Sequence, residues 1–122
     1  MAKILIVEDN PDNMRLFRAV LTIRGHQVVG LPGGETLLET MQAEAPAIVL
    51  LDIQLPGEDG FQLLAKLRAA RRDTLPPVVA LTAHAMSGDE EKALTAGFTG
   101  YLTKPIDVAT FASTVEAFIP PA

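Results

Sequence analysis

The sequence contains no cysteine, which excludes a disulfide framework and a zinc site built on thiolates. Basic residues are also scarce, with 10 Lys and Arg against 15 Asp and Glu and a formal net charge of −5. Nonspecific nucleic-acid binding needs a basic face, so this class of function is disfavoured. No apolar run approaches the roughly 18 residues of a membrane span. Residues 1–3 lead directly into an apolar run and leave no room for a signal peptide, so we expect a soluble cytoplasmic protein.

Linkers, internal repeats and low-complexity segments are absent too. The 122 residues suit one domain with one core, and a hydrophobic fraction of 48% is enough to fill that core. No Gly-x-Gly-x-x-Gly pattern follows the first apolar run, which argues against dinucleotide binding. The sequence therefore predicts a single domain over residues 1–122.

The chain is organised around the unbroken apolar run from Ala47 to Leu51, which ends on Asp52. A fully buried strand of a parallel sheet has this pattern because helices cover both of its faces, and Pro46 before the run argues against a helix. Open α/β sheets place their ligands at the carboxyl ends of their strands, so Asp52 is the candidate reactive residue. The loop that follows, residues 53–60, is shaped by Pro and Gly.

Strand-like and helix-like patterns alternate along the chain. Strands are predicted at Lys3–Val7, His26–Leu31, Ala47–Asp52, Val78–Leu81 and Gly100–Leu102. Helices are predicted from Pro11 to Arg24 with Asn10 as the cap, from Glu35 to Ala43, from Phe61 to Arg72, from near Gly88 to Gly97 with a Ser87 and Glu90 capping box, and from a cap at Asp107 to Phe118. This alternation implies right-handed crossovers, so we expect a three-layer α/β domain with a parallel five-stranded sheet.

Functional side chains follow four of the predicted strands. Glu8 and Asp9 follow the first, Asp52 ends the third, Thr82 ends the fourth, and Lys104 closely follows the fifth. The carboxyl ends of parallel strands share one edge, so these side chains are expected to converge. Clustered carboxylates repel unless a hard cation such as Mg²⁺ lies among them, and a lysine supplies a compact charge suited to phosphate. The set suits phosphoryl transfer to a carboxylate, with Asp52 as nucleophile.

At these positions the chain resembles the receiver domain of two-component response regulators, over about Lys3 to Phe118. The resemblance rests on five elements in matching order and spacing: Ile4 to Asn10, the run ending in Asp52, Leu55-Pro56-Gly57 with Gly60, Leu81-Thr82-Ala83, and Lys104-Pro105. The stretch Ala83-His84-Ala85-Met86 is most similar to stand-alone receivers and to those attached to hybrid kinases. The resemblance implies a single-domain flavodoxin-like fold with strand order 2-1-3-4-5.

The resemblance also implies a phosphorylation site. Asp52 would accept a phosphoryl group from a histidine kinase or a histidine phosphotransfer protein. Asp9, Asp52 and the backbone carbonyl of Gln54 would bind Mg²⁺, with Glu8 assisting through water. Beyond its own phosphorylation and dephosphorylation, such a domain would catalyse nothing.

Further roles follow from the same resemblance. Lys104 would hold the phosphate, with a peptide bond to Pro105 that the family often has in the cis form. Thr82 and Tyr101 would form the switch pair. Position 84, a histidine here, and position 54 tune the rates of phosphorylation and dephosphorylation in this family.

Two other functions remain open from the residues alone. A Mg²⁺-dependent aspartyl phosphohydrolase also carries a nucleophilic Asp at a strand end, but typically with a second Asp two residues later, where this chain has Gln54. A phosphorylation-independent interaction module is disfavoured because every residue type of the acceptor site is present. Among single residues, His26 is interpreted as structural or solvent-facing. Arg68, Arg71 and Arg72 are interpreted as a basic helix end, with a partner-binding patch as the alternative.

The last predicted helix is the candidate output surface, because no further module follows Phe118 in this sequence. Val108, Phe111, Val115 and Phe118 form its expected core stripe, and the expected outward positions are Ala109, Ala112, Ser113 and Ala117. With the fifth strand and the helix before it, this face is predicted to dock a kinase, an effector or a second copy. Alanine also simply favours helix, so the face has a plain explanation as well.

Overall fold

The computed structural model describes residues 2–55, 57–70, 75–83 and 89–119, in which strands and helices alternate along the chain. The strands are β1 Lys3–Val7, β2 Gln27–Leu31, β3 Ile48–Asp52, β4 Val78–Thr82 and β5 Gly100–Thr103. The helices are α1 Pro11–Ile23, α2 Leu37–Glu44, α3 Gly60–Ala70, α4 Asp89–Ala96 and α5 Phe111–Phe118. Within these ranges no helix is long and apolar enough to span a bilayer.

The five strands form one parallel sheet in the order β2-β1-β3-β4-β5. This order confirms the predicted flavodoxin-like topology. The central strand, β3, is buried along its whole length, as its unbroken apolar run predicted. Asp52 at its end lies in register with Leu81, the residue before Thr82. Asp52 and Thr82 therefore end neighbouring strands at one edge of the sheet.

Helices on both faces of the sheet close two hydrophobic cores. Side chains alternate along β3, so Val49 and Leu51 face one core while Ile48 and Leu50 face the other. Helices α2, α3 and α4 close the first core with Leu37, Met41, Leu63, Leu64, Leu67 and Ala93. Helices α1 and α5 close the second with Phe17, Leu21, Phe111, Ala112 and Val115. Since truncating one buried leucine typically costs about 2–5 kcal/mol, this packing holds the strand ends firmly in place.

Two helix starts next to the site are capped by side chains. Asn10 Oδ1 accepts hydrogen bonds from the N–H groups of Asp12 and Asn13 at 2.9 and 3.1 Å, so the predicted cap of α1 is observed. Asp59 and Gln62 form a reciprocal capping box at the start of α3, with both hydrogen bonds 2.9 Å long. The sequence analysis did not identify this second cap, although its spacing is that of a capping box.

The start of α5 corrects one prediction, the position of the first helical residue. Asp107 caps the turn that leads into the helix, since its Oδ1 accepts a hydrogen bond from Ala109 N at 3.0 Å and its carbonyl oxygen accepts one from Phe111 N at 2.9 Å. The helix begins at Phe111, about one turn later than predicted. Val108 therefore lies outside the helix and is 56% exposed instead of facing the core. Ala112, predicted to face outward, is 7% exposed because it lies beside Phe111 on the buried arc.

The other predicted elements lie close to the observed ones, with shifts of up to two residues at the described ends. Helix α2, for example, begins at Leu37, two residues after the predicted start at Glu35. Several earlier assignments fall outside the described residues: Pro56, Arg71, Arg72, His84, and the capping box and helix start at Ser87 and Gly88.

Candidate functional site

Three carboxylates meet at the carboxyl edge of the sheet. Glu8 follows β1 and is 2% exposed, Asp52 ends β3 and is 1% exposed, and Asp9 is exposed to solvent. One carboxylate oxygen from each residue lies within 4.8 Å of the corresponding oxygens of the other two. Burial, together with the nearby carboxylate of Asp52, raises the pKa of Glu8 above its ordinary value. The three carboxylates therefore form an acidic site in which a cation would be favoured.

Lys104 supplies a positive charge from the loop after β5. Its Nζ donates to Asp52 Oδ2 at 2.8 Å and to Glu8 Oε1 at 2.9 Å. Burial opposes the charge on this lysine, but its hydrogen bonds to Asp52 and Glu8 outweigh that effect and raise its pKa. The backbone holds the lysine in place, because Lys104 N donates to Thr82 O at 2.7 Å. The peptide bond from Lys104 to Pro105 is cis, as the resemblance implied. A direct Lys104 to Glu8 contact was not part of the sequence prediction.

The loop after Asp52 folds back on the carboxylate. Gln54 N donates to Asp52 Oδ1 at 2.8 Å, so both oxygens of Asp52 have partners. Gln54 Oε1 accepts a hydrogen bond from Ala83 N at 3.3 Å and links this loop to the end of β4. At Gly60, an added Cβ would lie 2.6 Å from Ile53 Cα and 2.8 Å from Asp52 O. Only glycine allows α3 to start this close to the end of β3.

An open cavity of about 500 Å³ lies in front of these groups. Among the described residues, its lining is formed by Glu8, Asp9, Asn10, Asn13, Asp52, Gln54, Ala83, Lys104 and Pro105. Asn13 and Ala83 were not among the predicted site residues. Asn13 lies three residues after Asn10, on the same side of the first helical turn, and this spacing is the one signal that pointed to it.

Thr82 and Tyr101 lie on the same face of the sheet. Tyr101 is half-buried, pairs in register with Ala80, and packs against the core that α2, α3 and α4 close. Thr82 is 1% exposed and lies two residues beyond Ala80, so its side chain leaves the sheet on that same face. His84, another position singled out in the sequence, lies outside the described residues.

The donor set fits a hard divalent cation. Mg²⁺ binds through oxygen ligands and usually combines one or two carboxylates with water and phosphate oxygens. Glu8, Asp9 and Asp52 bring carboxylate oxygens together, and none of the described residues that line the cavity offers a softer ligand. This acidic pocket is therefore suited to Mg²⁺.

Comparison with known proteins gives consistent results. Residues 4–116 match the family model of the response regulator receiver domain. The polar-differentiation response regulator DivK of Brucella ovis is 35% identical over 116 residues, which cover 95% of this chain and 94% of DivK. The sensor protein GacS of Pseudomonas syringae pv. syringae is 40% identical over 116 residues, 93% of this chain, but the match spans only 13% of GacS.

A solved structure agrees with the family match. The BeF3-activated N-terminal receiver domain of Klebsiella pneumoniae RstA superposes with a TM-score of 0.87 at 32% identity. The match covers 98% of this chain and 99% of that domain. Sequence and fold therefore point to the same family.

Proposed function

The chain belongs to the response regulator receiver family, whose members act as phosphorylation-dependent switches in two-component signalling, and we propose that Asp52 is its phosphoryl acceptor. One observation carries this proposal: a carboxylate that is 1% exposed lies at a strand end, with a lysine ammonium 2.8 Å from its Oδ2. Burying a charge is unfavourable unless it is paired and hydrogen-bonded, and the partner of Asp52 is an ammonium group of the kind that binds phosphate. Receivers are signalling switches and not conventional enzymes, so the protein would act on itself alone.

In the transfer step, a carboxylate oxygen of Asp52 forms a bond to the phosphorus of a phosphohistidine. The bond from phosphorus to the imidazole nitrogen breaks, and its electron pair stays on that nitrogen. Lys104 is placed to move from the Asp52 carboxylate to an oxygen of the transferred group, where it offsets the added negative charge. Gln54 N, which donates to Asp52 Oδ1, orients the acceptor.

Mg²⁺ would be held by Asp9, Asp52 and the backbone carbonyl of Gln54, with Glu8 acting through water. When bound, the ion would neutralise negative charge on the phosphoryl oxygens. The donor chemistry of the cavity supports this assignment. Glu8, whose carboxylate also contacts Lys104, keeps the lysine near the acceptor in the absence of phosphate.

The signal would leave the site through Thr82 and Tyr101. Phosphorylation adds charge and acceptor oxygens, which favours a position of the Thr82 hydroxyl closer to Asp52. Movement of Thr82 opens space on the face that Tyr101 shares with it, so the equilibrium shifts between two packings of one fold. The proposed partners are a histidine kinase or phosphotransfer protein as donor, and an effector or a second copy that binds α4, β5 and α5.

Incubation with acetyl phosphate and Mg²⁺ tests the acceptor and separates the three candidate functions. A switch accumulates one phosphoryl group per chain, which intact-mass spectrometry detects and peptide mapping assigns to Asp52. A phosphohydrolase instead hydrolyses acetyl phosphate continuously without accumulating the phosphorylated protein. An interaction module neither becomes phosphorylated nor hydrolyses acetyl phosphate. Asp52→Asn should abolish labelling, whereas Asp107→Asn, at an exposed position far along the chain, should not. Full labelling of Asp52→Asn would show that the acceptor is another residue.

A further inference from the structure

Helix α4 is packed on the core through small side chains. Across residues 90–96, Ala93 is buried and Ala96 is partly buried against the same core, whereas α3 buries Leu63, Leu64 and Leu67. Stabilisation by burial scales with the apolar area removed from water, so two alanines contribute much less than three leucines. Among the described residues, the contacts at the two ends of α4 therefore matter more for its position than they do for α3.

The carboxyl-terminal end of α4 is closed by backbone hydrogen bonds. Gly97 N donates to Leu94 O and Phe98 N donates to Ala93 O, both at 3.1 Å. Gly97 has a φ of +112°, and the two bonds form the Schellman pattern that a glycine at this position allows. Phe98 is 3% exposed and anchors the chain in the core directly after the helix.

Arg68, in the last turn of α3, adds a contact from another helix. Its Nη1 donates to Ala96 O at 3.0 Å, a carbonyl that the Schellman bonds do not use. A Cβ on Gly97 would lie 2.3 Å from the same nitrogen, so the missing side chain at Gly97 leaves the space that Arg68 fills. The last turn of α4 contains no basic residue, and Arg68 supplies the cation that a helix carboxyl end favours.

The contact at the amino-terminal half of α4 is of a different kind. Lys92 Nζ lies 5.1 Å from the centroid of the Phe61 ring. A cation above a ring does not fix an orientation as a hydrogen bond does, and the four-carbon stem of a lysine can follow a moving backbone. Among the described residues, the two ends of α4 are therefore held by contacts of different kinds.

From this asymmetry we infer that Arg68 is a positioning residue that makes the end of α4 at Ala96 and Gly97 a fixed pivot. When Thr82 responds to Asp52, α4 turns about this end, and the displacement is confined to its amino-terminal half. The source of the motion rests on the proposed function, whereas the attachment of α4 by Arg68 does not. Arg68 thus decides which part of the surface beside β5 changes with phosphorylation.

Hydrogen exchange tests the attachment without any phosphoryl chemistry. In Arg68→Gln, the amides of Gly97 and Phe98 should exchange about fivefold faster, the effect of losing about one hydrogen bond near their acceptors. Arg68→Lys should restore part of the protection, because it keeps the charge and one donor. Lys66→Gln, on the same helix but paired with Glu58, is the matched control and should leave these amides unchanged. Equal exchange in wild type and Arg68→Gln would overturn the inference.

Amide chemical shifts with Mg²⁺ and beryllofluoride, a phosphoryl mimic, test the pivot. In wild type, the shift changes within α4 should concentrate at residues 89–92 and be small at residues 94–98. In Arg68→Gln they should extend to residues 94–98, because the end is no longer held. Equal changes at both ends of wild-type α4, or an unchanged pattern in the variant, would overturn the pivot. If no residue of the wild type responds, the proposed phosphoryl site fails, and hydrogen exchange still decides whether Arg68 fixes the helix.

Discussion

At the scale of single residues, the site is a balance between buried carboxylates and one lysine. Asp52 and Glu8 are both almost fully buried, and each accepts a hydrogen bond from Lys104. Burying a charge is unfavourable unless an opposite charge compensates it, which explains why these three side chains lie in contact. The exposed carboxylate of Asp9 has no comparable constraint, so it is the member of the cluster most free to bind an ion from solvent.

The convergence of these residues was predictable, but their pairing was not. Strand ends of a parallel sheet share an edge, so positions 8, 9, 52, 82 and 104 were expected to meet there. Which carboxylate Lys104 contacts depends on side-chain rotamers and on the path of a loop, and neither has a signal in the sequence. The same holds for the hydrogen bond between Gln54 and Ala83, which joins two loops 29 residues apart.

Asp9→Asn should weaken Mg²⁺ binding and phosphorylation together. The substitution removes one of the proposed carboxylate ligands, and loss of even an outer-shell partner typically costs about 10–100-fold in metal affinity. We expect at least about a tenfold weaker Mg²⁺ affinity by calorimetric titration, with a parallel loss of acetyl phosphate labelling. Asp12→Asn, on the exposed surface of the neighbouring helix turn, is the control. An unchanged Mg²⁺ titration would remove Asp9 from the site.

At the scale of elements, strands were more predictable than helix starts. Each strand is an apolar run whose burial in the sheet leaves little freedom, and β1 was predicted with its observed bounds. Helix starts depend on caps, and a cap depends on how the preceding loop turns. Asp107 makes the capping hydrogen bond to Ala109 N, but residues 108–110 form a turn, and α5 begins only at Phe111.

An ion-pair network joins the last helix to the turn between α1 and β2. Glu116 of α5 accepts hydrogen bonds from Arg24 Nε at 3.1 Å and from His26 Nε2 at 2.7 Å. The proton of His26 lies on Nε2, because its Nδ1 accepts a hydrogen bond from Ala2 N at 3.1 Å. The sequence left His26 as either structural or solvent-facing. Because His26 is 9% exposed, the structure agrees with the structural interpretation. The network attaches α5 at the end of the sheet opposite to Asp52.

Glu116→Gln should therefore destabilise the protein in a pH-dependent way. Hydrogen bonds from Arg24, and then from His26, hold the pKa of Glu116 at about 2, below its ordinary value of 4.5. A carboxyl group whose pKa is lowered by folding stabilises the folded state above its unfolded pKa, and this contribution is lost as the pH falls through the folded pKa. The variant should melt a few degrees below wild type at pH 7, and the difference should shrink between about pH 4.5 and pH 2.

Thermal unfolding followed by circular dichroism across this pH range measures the effect. Glu39→Gln, at an exposed position on α2, is the matched control and should melt like wild type throughout. A difference between Glu116→Gln and wild type that persists unchanged at pH 2 would mean that its origin is not the ionised carboxylate.

At the scale of the whole molecule, the sheet places the candidate site at one edge and the proposed output surface beside β5. The candidate site lies at the carboxyl edge, where the segments that end β1, β3, β4 and β5 meet, and Asn13 of α1 also lines it. The two cores below it hold the strand ends in place. Under the proposed function, a signal that starts at Asp52 would reach a partner by repositioning surface elements around β5, such as α4.

The outward face of α5 is the part of that surface that substitution tests most directly. Ser113 and Ala117 of α5 are exposed, as is Ala109 in the turn before it, and small side chains let a partner backbone approach closely. Ser113→Glu should leave folding and Asp52 phosphorylation intact but weaken phospho-dependent association by at least about tenfold, because a carboxylate would be buried without a partner in the interface. Ala112→Glu, at a position that the sequence pattern placed on the outward face, would instead unfold or strongly destabilise the domain, since residue 112 is 7% exposed.

Sedimentation velocity with beryllofluoride measures self-association, and a pull-down with the phosphodonor measures binding to a kinase. Association of Ser113→Glu as strong as that of wild type in both assays would exclude this face of α5 as the output surface.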